Sequence, residues 1–342
     1  MWPSATVDSV MKQQEINLDF SRRQVMTIVN VTPDSFFAGS RTPDWLDVER
    51  RVREAVEAGA SVIDVGGYSS RPGADEVSPE EEWRRVDLGV GAVRSLSPDL
   101  PVSIDTFRSS VAARTIHKYG KVIINDISAG ELDPLIVDVA AEHDVPYVAM
   151  HMKGDPRTMQ SMTDYRDIVA EVVDYFRERT AQLRERGVRR IVVDPGFGFA
   201  KTLEQNYELL RGLHSLAELG YPVLAGVSRK SMIYKLLGTT PAEALNGTTA
   251  LHWECLRQGA VILRRTIRAK PSRWYGCSIN SCRHDGARGD DPGRRASQTL
   301  RCVGGVARRV ARSGARRGGI DRRRQRRGQD DAVADHRVAH AP

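Results

Sequence analysis

Short apolar runs that end in polar or ionisable residues recur along the chain. A hydrophobic run that stops at Asn, Asp or Lys is typical of a buried parallel strand whose last residue presents a functional group. Several such strand ends on one face of a sheet would form a functional site. The pattern is clearest in MTIVNVTPDSF (26–36), SVIDVGGYSSRPG (61–73), VSIDTF (102–107), VIINDISAG (122–130), IVVDPGFGFAKT (191–202) and VLAGVSRKS (223–231).

Helical patterns separate these runs, so that strand and helix alternate about eight times. Several helical patterns close on glycine, and Ser78-Pro79 with Glu81 is a typical helix start. Strict alternation with right-handed crossovers gives a parallel sheet, and eight strands favour a closed barrel. The predicted strands lie near 25–30, 61–66, 101–105, 121–126, 146–151, 190–194, 222–227 and 260–264, and the predicted helices near 45–59, 78–93, 109–120, 133–144, 167–187, 203–220 and 241–259.

A doubly wound open sheet is the structural alternative. It would gather its ligand groups at one switch point, often beside a glycine-rich first turn. Here the polar strand ends are spread over nearly every predicted strand. The pattern therefore favours the α/β class with a (β/α)8 TIM barrel.

The positive charge of the chain is confined to its C-terminal part. The net charge is +7, but residues 264–342 hold 21 Lys and Arg against 7 Asp and no Glu, so the remainder carries −7. That segment has one Leu and no aromatic residue after Tyr275, which is too little apolar surface to offset the entropy cost of ordering it. We expect a disordered tail in place of the last barrel helix.

Two interpretations of this tail stay open. A polybasic arm would bind nucleic acid or an anionic surface through phosphates. The interpretation that we prefer is a frame-shifted translation of a GC-rich gene, since Arg, Gly and Ala dominate and the composition changes abruptly after ILR (262–264). The predicted organisation is an N-terminal extension over 1–24, a barrel domain over 25–264 and a basic low-complexity tail over 265–342.

The sequence predicts a cytoplasmic protein. Residues 1–20 lack the regions of a signal peptide, and there is no stretch of about 18 apolar residues that would predict a membrane span. Three of the four cysteines lie in the tail without the paired spacing of a zinc site, and Cys255 falls in a helical pattern as a core residue. No disulfide framework is expected.

The strand ends combine carboxylates, amides, hydroxyls and cations. Two buried carboxylates flanked by Asn suit a flat heterocycle with several N–H groups, because a carboxylate accepts charge-assisted hydrogen bonds while an amide both donates and accepts. Cations, hydroxyls and glycine-rich turns suit phosphate. The implied substrate is a ring that carries a diphosphate. The candidate groups are Asp105, Asp194, Asn30, Asn125, Lys230, Arg71, Arg264, Ser69, Ser70 and Ser228.

Each candidate also has a purely structural interpretation. An Asp in SIDT or NDIS can be a helix N-cap or a hydrogen-bond partner at the barrel mouth, and one of Arg229 and Lys230 is expected to be an ordinary solvated cation. Met152 can be plain packing, although its face suits a ring. His151 has no Cys or second His at ligand spacing, so no metal role is predicted for it. The expected metal is Mg²⁺ on substrate phosphates, with Asn30 as its protein contact.

With these residues in view, the chain resembles the dihydropteroate synthases, the folate-pathway enzymes that join a pterin diphosphate to 4-aminobenzoate. The resemblance covers about residues 25–264. It rests on NVTPDSF, GGYSSRPG, SIDT, NDIS, MHMKG, DPGFGF and GVSRKS in the family's order. It implies a Mg²⁺-dependent transferase that is commonly a homodimer and a target of sulfonamides.

The resemblance also implies a role for each matching position. The loops 33–41 and 69–73 would close over the diphosphate and shape the aminobenzoate pocket. The second loop includes Arg71 and Pro72. Asn30 would contact Mg²⁺. The implied catalytic residues are Asp105, Lys230 and Arg71, and the implied substrate-binding residues are Ser70, Asp105, Asn125, Met152, Asp194, Phe199, Gly226, Lys230, Ser231 and Arg264.

Two departures from the family's pattern bear on activity. The family continues its eighth strand as Arg-x-His, whereas this chain has Thr266 two residues after Arg264. The absent imidazole removes one diphosphate donor, so a catalytically impaired homologue is one alternative. The second departure is Ala200, where the family more often has Gly, and Ala is tolerable there unless φ is positive.

Two further functions stay open at this point. Related barrels bind methyltetrahydrofolate and pass its methyl group to a corrinoid, but they lack the diphosphate apparatus that SRPG and VSRKS suggest. A non-catalytic protein that binds nucleic acid through its tail is the other alternative, and its affinity would fall steeply with salt.

Overall fold

The described part of the chain folds around one closed sheet. The computed structural model describes residue 16 and residues 18–32, 45–69 and 76–267. Eight parallel strands in this part are ordered β6-β5-β4-β3-β2-β1-β8-β7, and a bridge between Val193 and Val223 joins β6 to the start of β7. The strands are β1 (Gln24–Asn30), β2 (Val62–Gly66), β3 (Val102–Asp105), β4 (Ile123–Asp126), β5 (Tyr147–Met150), β6 (Ile191–Asp194), β7 (Leu224–Ala225) and β8 (Ile262–Thr266).

This closure confirms the predicted barrel and its eight strands. The strand β7 is shorter than expected, and β8 continues two residues past Arg264. Within the described residues, nine α-helices surround the barrel. They are α1 (Trp45–Glu57), α2 (Pro79–Leu96), α3 (Ser109–Tyr119), α4 (Leu135–Glu142), α5 (Ile168–Glu185), α6 (Leu203–Arg211), α7 (His214–Ala217), α8 (Ser231–Leu237) and α9 (Leu245–Arg257), with a 3₁₀ helix at Met159–Ser161.

The predicted helix signals are found where the sequence places them. Ser78 caps α2, and its Oγ accepts a hydrogen bond from the Glu81 amide at 3.2 Å. Left-handed φ angles follow several helices because glycine adopts them without strain. The glycines concerned are Gly59, Gly120, Gly187, Gly220 and Gly259.

One helix prediction was wrong. The single helix expected over 203–220 is two helices, α6 and α7, which are separated at Gly212. A Cβ at Gly212 would lie 2.6 Å from a methyl group of Val169 on α5, so the chain approaches α5 there more closely than any other residue allows. The close approach ends α6, and the short α7 begins after Leu213.

Apolar side chains fill the lower half of the barrel interior. Side chains alternate between the two faces of a strand, so residues two apart point the same way. The inner apolar layer consists of Met26, Val62, Ile123, Val148, Val192, Leu224 and Ile262. The outward-facing residues of the same strands pack with the helices in a second, larger core.

Residues before β1 lie against this inner layer. Ile16 is buried in it, and Leu18 and Phe20 pack beside it. The Arg190 guanidinium donates a hydrogen bond to the Ile16 carbonyl at 2.7 Å. Ile16, Leu18 and Phe20 therefore cover the end of the barrel from which the strands start. No helix among the described residues is long and apolar enough to cross a bilayer.

Candidate active site

Polar side chains replace the apolar layer at the other end of the barrel. Asp64, Asn125, Asp194 and Arg264 each stand two residues after a member of the inner layer, so they point into the same interior. Asp105 ends the intervening strand β3. The strands deliver these groups together at their C-terminal ends, which is where (β/α)8 barrels carry their active sites.

Arg264 joins two carboxylates in this layer. Its Nη2 lies 2.6 Å from Asp64 Oδ2 and 2.5 Å from Asp105 Oδ2, and its Nε donates to Asp64 Oδ2 at 2.7 Å. Burial disfavours the guanidinium charge, but Asp64 and Asp105 outweigh it and raise the pKa of Arg264. Burial raises the pKa of Asp105 to about 7, and the Arg264 charge opposes that rise. The partners of Arg264 among the described residues are carboxylates, and its contact with the diphosphate stays a prediction.

Asp64 is a site residue that sequence reasoning missed. Its side chain is fully buried, and the Asn125 Nδ2 donates to Asp64 Oδ2 at 3.2 Å. The available signal was an ionisable residue inside the apolar run VIDVG, two positions after the inward-facing Val62. The predicted groups of this segment, Ser69 and Ser70, follow the strand instead.

Asp194 and Lys230 face each other across Gly226. A Cβ at Gly226 would lie 3.7 Å from Lys230 Nζ, 3.8 Å from Asp194 Oδ2 and 4.0 Å from the Arg264 Cβ. Burial lowers the pKa of Lys230 to about 8, and Asp194 opposes that shift. Burial raises the pKa of Asp194, and Lys230 opposes that rise in turn. The missing side chain at Gly226 leaves space between opposite charges.

Asn30 and Asp105 end the strands on either side of Gly66 in β2. The position of a Cβ on Gly66 would be 2.8 Å from Asn30 Oδ1 and 3.7 Å from Asp105 Cβ. The glycine leaves the Asn30 amide oxygen uncovered by a neighbouring side chain on β2. Ser231 is the first residue of α8, directly after Lys230.

An apolar cluster borders the charged groups. Met152 and Met150 are buried in it, with Phe199 and Phe107 packed beside them. Lys230 Nζ lies 4.6 Å from the centre of the Phe199 ring. The expected apolar faces for a ring are therefore next to the predicted ring-binding polar groups.

Two other charged side chains beside the site hydrogen-bond to loop backbone. Asp126 points away from the barrel interior, and its carboxylate accepts hydrogen bonds from the Ser128 and Gly130 amides at 2.7 Å and from the Tyr147 hydroxyl at 2.6 Å. Arg229 donates to the carbonyls of Pro241 and Ala242 at 2.7 and 2.6 Å, away from the site. Both residues order loops.

The imidazole of His151 contacts an amine. Its Nδ1 lies 3.0 Å from Nζ of Lys201, a second buried residue that sequence reasoning did not single out. Among the residues that the structure describes, no group of three or more His, Cys, Asp or Glu could hold a metal ion. Ala200, beside Lys201, has a φ of +49°, the strained condition under which Ala is less suitable than Gly.

Part of the predicted site lies outside the described residues. The parts that lie outside are Ser70, Arg71, Pro72 and the loop 33–41. Their predicted contacts with the diphosphate and the aminobenzoate stay predictions. The barrel mouth holds the residues that are predicted to bind the ring.

Comparison with known proteins decides the family. The sequence model of a family described as "Pterin binding enzyme" matches residues 26–265. The chain belongs to this family. The match includes six strands in full and most of β1 and β8, and it ends one residue before Thr266, so almost the whole tail lies beyond it.

Curated and solved members of the family are similar over most of the barrel. Dihydropteroate synthase of Synechocystis is 43% identical over 246 residues, which cover 71% of this chain and 84% of that protein. The Escherichia coli enzyme of the same name is 43% identical over 253 residues, 73% of this chain and 89% of that one. A structure of the Xanthomonas albilineans enzyme with 4-aminobenzoic acid matches with a TM-score of 0.71 at 36% identity, over 79% of this chain and 96% of that one. Neither the methyltransferase nor the nucleic-acid alternative is favoured by these matches.

Proposed function

We propose that this chain is a transferase that condenses 6-hydroxymethyl-7,8-dihydropterin diphosphate with 4-aminobenzoate to dihydropteroate and diphosphate. The observation that carries the proposal is the convergence of Asp105, Asn125, Asp194 and Lys230 on one barrel mouth beside an apolar face. These are the donors and acceptors that a flat ring with several N–H groups requires. The proposed domain for this function is 25–264, with the extension and the tail on either side.

The carboxylates would bind and orient the ring. Asp194 offers Oδ2 toward the space over Gly226, while its Oδ1 accepts a hydrogen bond from the Gly196 amide at 2.8 Å. Asp105 is held by Arg264, so its remaining lone pairs have a fixed direction. Lys230 would donate to ring acceptors, and Met152 and Phe199 would cover the ring faces. Orientation of this kind lowers the entropy cost of reaching the transition state.

The reaction breaks the bond between the pterin methylene carbon and the diphosphate oxygen, and the electron pair leaves with the diphosphate. The arylamine nitrogen then forms a bond to the same carbon and releases a proton to water. No protein nucleophile is needed. The carboxylates Asp105 and Asp194 would stabilise positive charge that spreads from the methylene into the ring.

Mg²⁺ is the proposed cofactor, and the residues present fit it. The Asn30 amide oxygen is uncovered at the mouth, and oxygen ligands are those that Mg²⁺ prefers. Mg²⁺ usually keeps several of its waters and binds substrate phosphates, so one protein oxygen is enough to place it. When bound, the ion would neutralise charge on the departing diphosphate. Arg71 and Ser70 are the proposed protein donors to the same group.

Thr266 supports a weaker diphosphate site than the family's pattern provides. Its Oγ1 lies 3.3 Å from Ser228 Oγ, and its amide donates to the same oxygen at 3.3 Å. The neutral hydroxyl of Thr266 stands where the pattern predicts an imidazole, and a neutral hydrogen bond contributes less than a charged one. We propose an active enzyme with reduced affinity for the diphosphate, a cytoplasmic location and a homodimeric assembly.

The proposal is tested by product formation. The purified full-length chain is incubated with the pterin diphosphate, 4-aminobenzoate and Mg²⁺, and dihydropteroate and diphosphate are quantified separately. We expect the two products in equal amounts, and no sustained diphosphate release when 4-aminobenzoate is left out. Tight binding of methyltetrahydrofolate without either product would support the methyltransferase alternative instead.

A further inference from the structure

The turn after β6 connects two parts of the proposed ring site. It begins after Asp194, and it carries Phe199. Gly196, Gly198 and Ala200 all have left-handed φ angles, of +67°, +82° and +49°. Such alternation turns successive carbonyl groups in different directions. The turn therefore presents acceptors on two of its sides.

Two ammonium groups occupy those sides. Lys201 Nζ donates to the carbonyls of Gly196 and Phe199 at 3.1 and 3.0 Å. Lys230 Nζ donates to the carbonyl of Phe197, which lies between them in the sequence. Lys230 belongs to the proposed ring site, whereas Lys201 has no role in the mechanism above. Both ammonium groups thus bind the same turn.

Lys201 is buried, and its third partner is a side chain on a different loop. Nζ lies 3.0 Å from His151 Nδ1, directly after β5. The His151 carbonyl lies 3.5 Å away as a longer fourth contact, so the three N–H groups of the ammonium are fully used, and none of these partners is a carboxylate. Burial lowers the pKa of His151 well below its usual value, and the Lys201 charge adds to that effect, so the ring is neutral and Nδ1 can accept.

The backbone shows how closely the two loops fit. A Cβ on Gly196 would lie 2.1 Å from the His151 carbonyl oxygen. The His151 amide donates to the Asp194 carbonyl at 3.0 Å. Met152, the expected cover for one ring face, follows His151, and Phe199 lies on the other loop. The Lys201 ammonium therefore links the segments that carry both faces.

A charged group is costly at this position. Burial lowers the pKa of Lys201 to about 7, although Asp194 opposes the shift. A neutral side chain of similar length would avoid the cost of burying charge, but it could not donate to two carbonyls and an imidazole at once. Such buried, perturbed groups occur preferentially at functional sites.

We propose that Lys201 is a positioning residue for the pterin site, whose ammonium group holds the turn Gly196–Phe199 against His151. It touches no substrate. It keeps Phe199 at the ring face and the Phe197 carbonyl at Lys230. The inference rests on the proposed function, because the proposed function identifies the bound ring as a pterin.

The test uses the full chain with Lys201→Met, which keeps the length of the side chain and removes its donors. Equilibrium dialysis measures the Kd for the pterin diphosphate without 4-aminobenzoate, and steady-state assays measure both KM values. We expect the Kd and the KM for the pterin diphosphate to rise about tenfold or more, while the KM for 4-aminobenzoate stays within about twofold.

Two controls separate positioning from a loss of stability. Lys235→Met removes an exposed lysine on α8 and should leave every constant unchanged. Leu183→Ala, in the helical core near the C-terminal end of α5, should lower the melting temperature without changing the pterin Kd. If Lys201→Met behaves like Leu183→Ala, the residue is structural only and the proposal is wrong.

A double-mutant cycle tests the route of the effect. If Lys201 acts by placing Phe199, Lys201→Met should weaken pterin binding by no more than about threefold in a Phe199→Ala background. Full additivity of the two changes would overturn the proposed route. Wild-type binding of the pterin diphosphate without product would contradict the proposed function alone, and wild-type protein that fails to bind it would overturn both.

Discussion

Asp105 lies at the point where the ion pairs of the barrel mouth meet the proposed ring. Its carboxylate shares the Arg264 guanidinium with Asp64, and Asn30 lies on its other side. Asp64 is fully buried below it, whereas Asp105 is partly exposed at the mouth. The two carboxylates therefore have different tasks. Asp64 anchors Arg264, and Asp105 is the one that a ligand can reach.

Asp105→Asn should abolish most activity. The amide keeps the shape of the side chain but cannot accept charge-assisted hydrogen bonds or offset positive charge on the ring, so we expect kcat/KM to fall by more than about 100-fold. Steady-state formation of dihydropteroate measures the loss. Asp174→Asn, at an exposed carboxylate on α5, is the matched control and should retain full activity. Near-normal activity of Asp105→Asn would contradict its assigned role.

Gly196 has a left-handed φ and also lies in direct contact with the backbone of His151. The effect of backbone strain can be separated from the effect of the contact. Gly196→Ala brings a Cβ to within 2.1 Å of the His151 carbonyl, so the turn must move. We expect a loss of about 3 kcal/mol or more in the free energy of unfolding, together with weaker pterin binding. Urea denaturation and equilibrium dialysis measure the two effects.

Gly220→Ala is the matched control. Gly220 has a similar φ of +81°, but nothing lies within 4 Å of its Cβ position. Only backbone strain remains, so the expected cost is about 1–2 kcal/mol with unchanged pterin binding. Equal losses in the two variants would mean that φ alone decides the effect and that the contact with His151 is unimportant.

At the scale of the elements, sequence periodicity gave the strands and most of the helices. Apolar runs and glycine stops are local signals, and the barrel follows from their alternation. The division of one predicted helix at Gly212 depends on Val169 in α5, which no local pattern encodes. Strand β7 is short because only two of its residues, Leu224 and Ala225, pair with residues of β8.

The sequence predicts those site residues that directly follow the apolar run of a strand. Asp105, Asn125 and Asp194 were found in this way, because each closes an apolar run. Asp64 and Lys201 were missed because their roles depend on contacts with residues that are distant in the sequence. Arg264 is 200 positions from Asp64, and His151 is 50 positions from Lys201. Pairings over such separations follow from barrel closure and cannot be inferred from spacing.

The helix α9 contains a buried histidine that should make stability depend on pH. Burial, with the charge of Arg265, lowers the pKa of His252 to about 4. Between about pH 4 and 6.5 the unfolded chain binds a proton at this position and the folded chain does not, so folding is penalised as the pH falls through that window. Other buried acids act in the opposite direction, so a variant has to isolate this contribution.

His252→Gln should remove the contribution of this histidine to the pH dependence of stability. Comparing pH 7.5 with pH 4, we expect the wild-type chain to lose up to about 3 kcal/mol more unfolding free energy than the variant does. Chemical denaturation at both pH values measures the difference. His214→Gln, at an exposed histidine on α7, should keep the wild-type pH dependence. Parallel stability curves for wild type and His252→Gln would show that His252 is not the group that titrates.

At the scale of the whole molecule, charge divides the chain into two unlike parts. Residues 264–342 hold 21 Lys and Arg against 7 Asp, while the rest of the chain has more acidic than basic residues. The proposed catalytic groups all lie before this segment except Arg264, whose charge is already matched by carboxylates. Any affinity for nucleic acid should therefore come from the tail and should not involve the barrel mouth.

Replacement of five tail arginines tests this division in the full chain. Arg322, Arg323, Arg324, Arg326 and Arg327 are changed to Gln together, and binding to a single-stranded oligonucleotide is titrated at several salt concentrations. Each lost phosphate contact lowers the slope of log K against log salt by about 0.7, so we expect a slope smaller by up to about 3.5 and much weaker binding at low salt. Dihydropteroate formation should not change.

The matched control removes the same amount of charge from the barrel. Arg22, Arg53, Arg84, Arg177 and Arg189 are exposed, and changing all five to Gln makes the body still more acidic. If the tail alone binds, this variant keeps the wild-type salt slope, because its arginines are screened and lie beside acidic neighbours. A slope that falls equally in both variants would mean that the barrel surface also binds nucleic acid. The charge of the tail would then be no guide to where a polyanion lies on the protein.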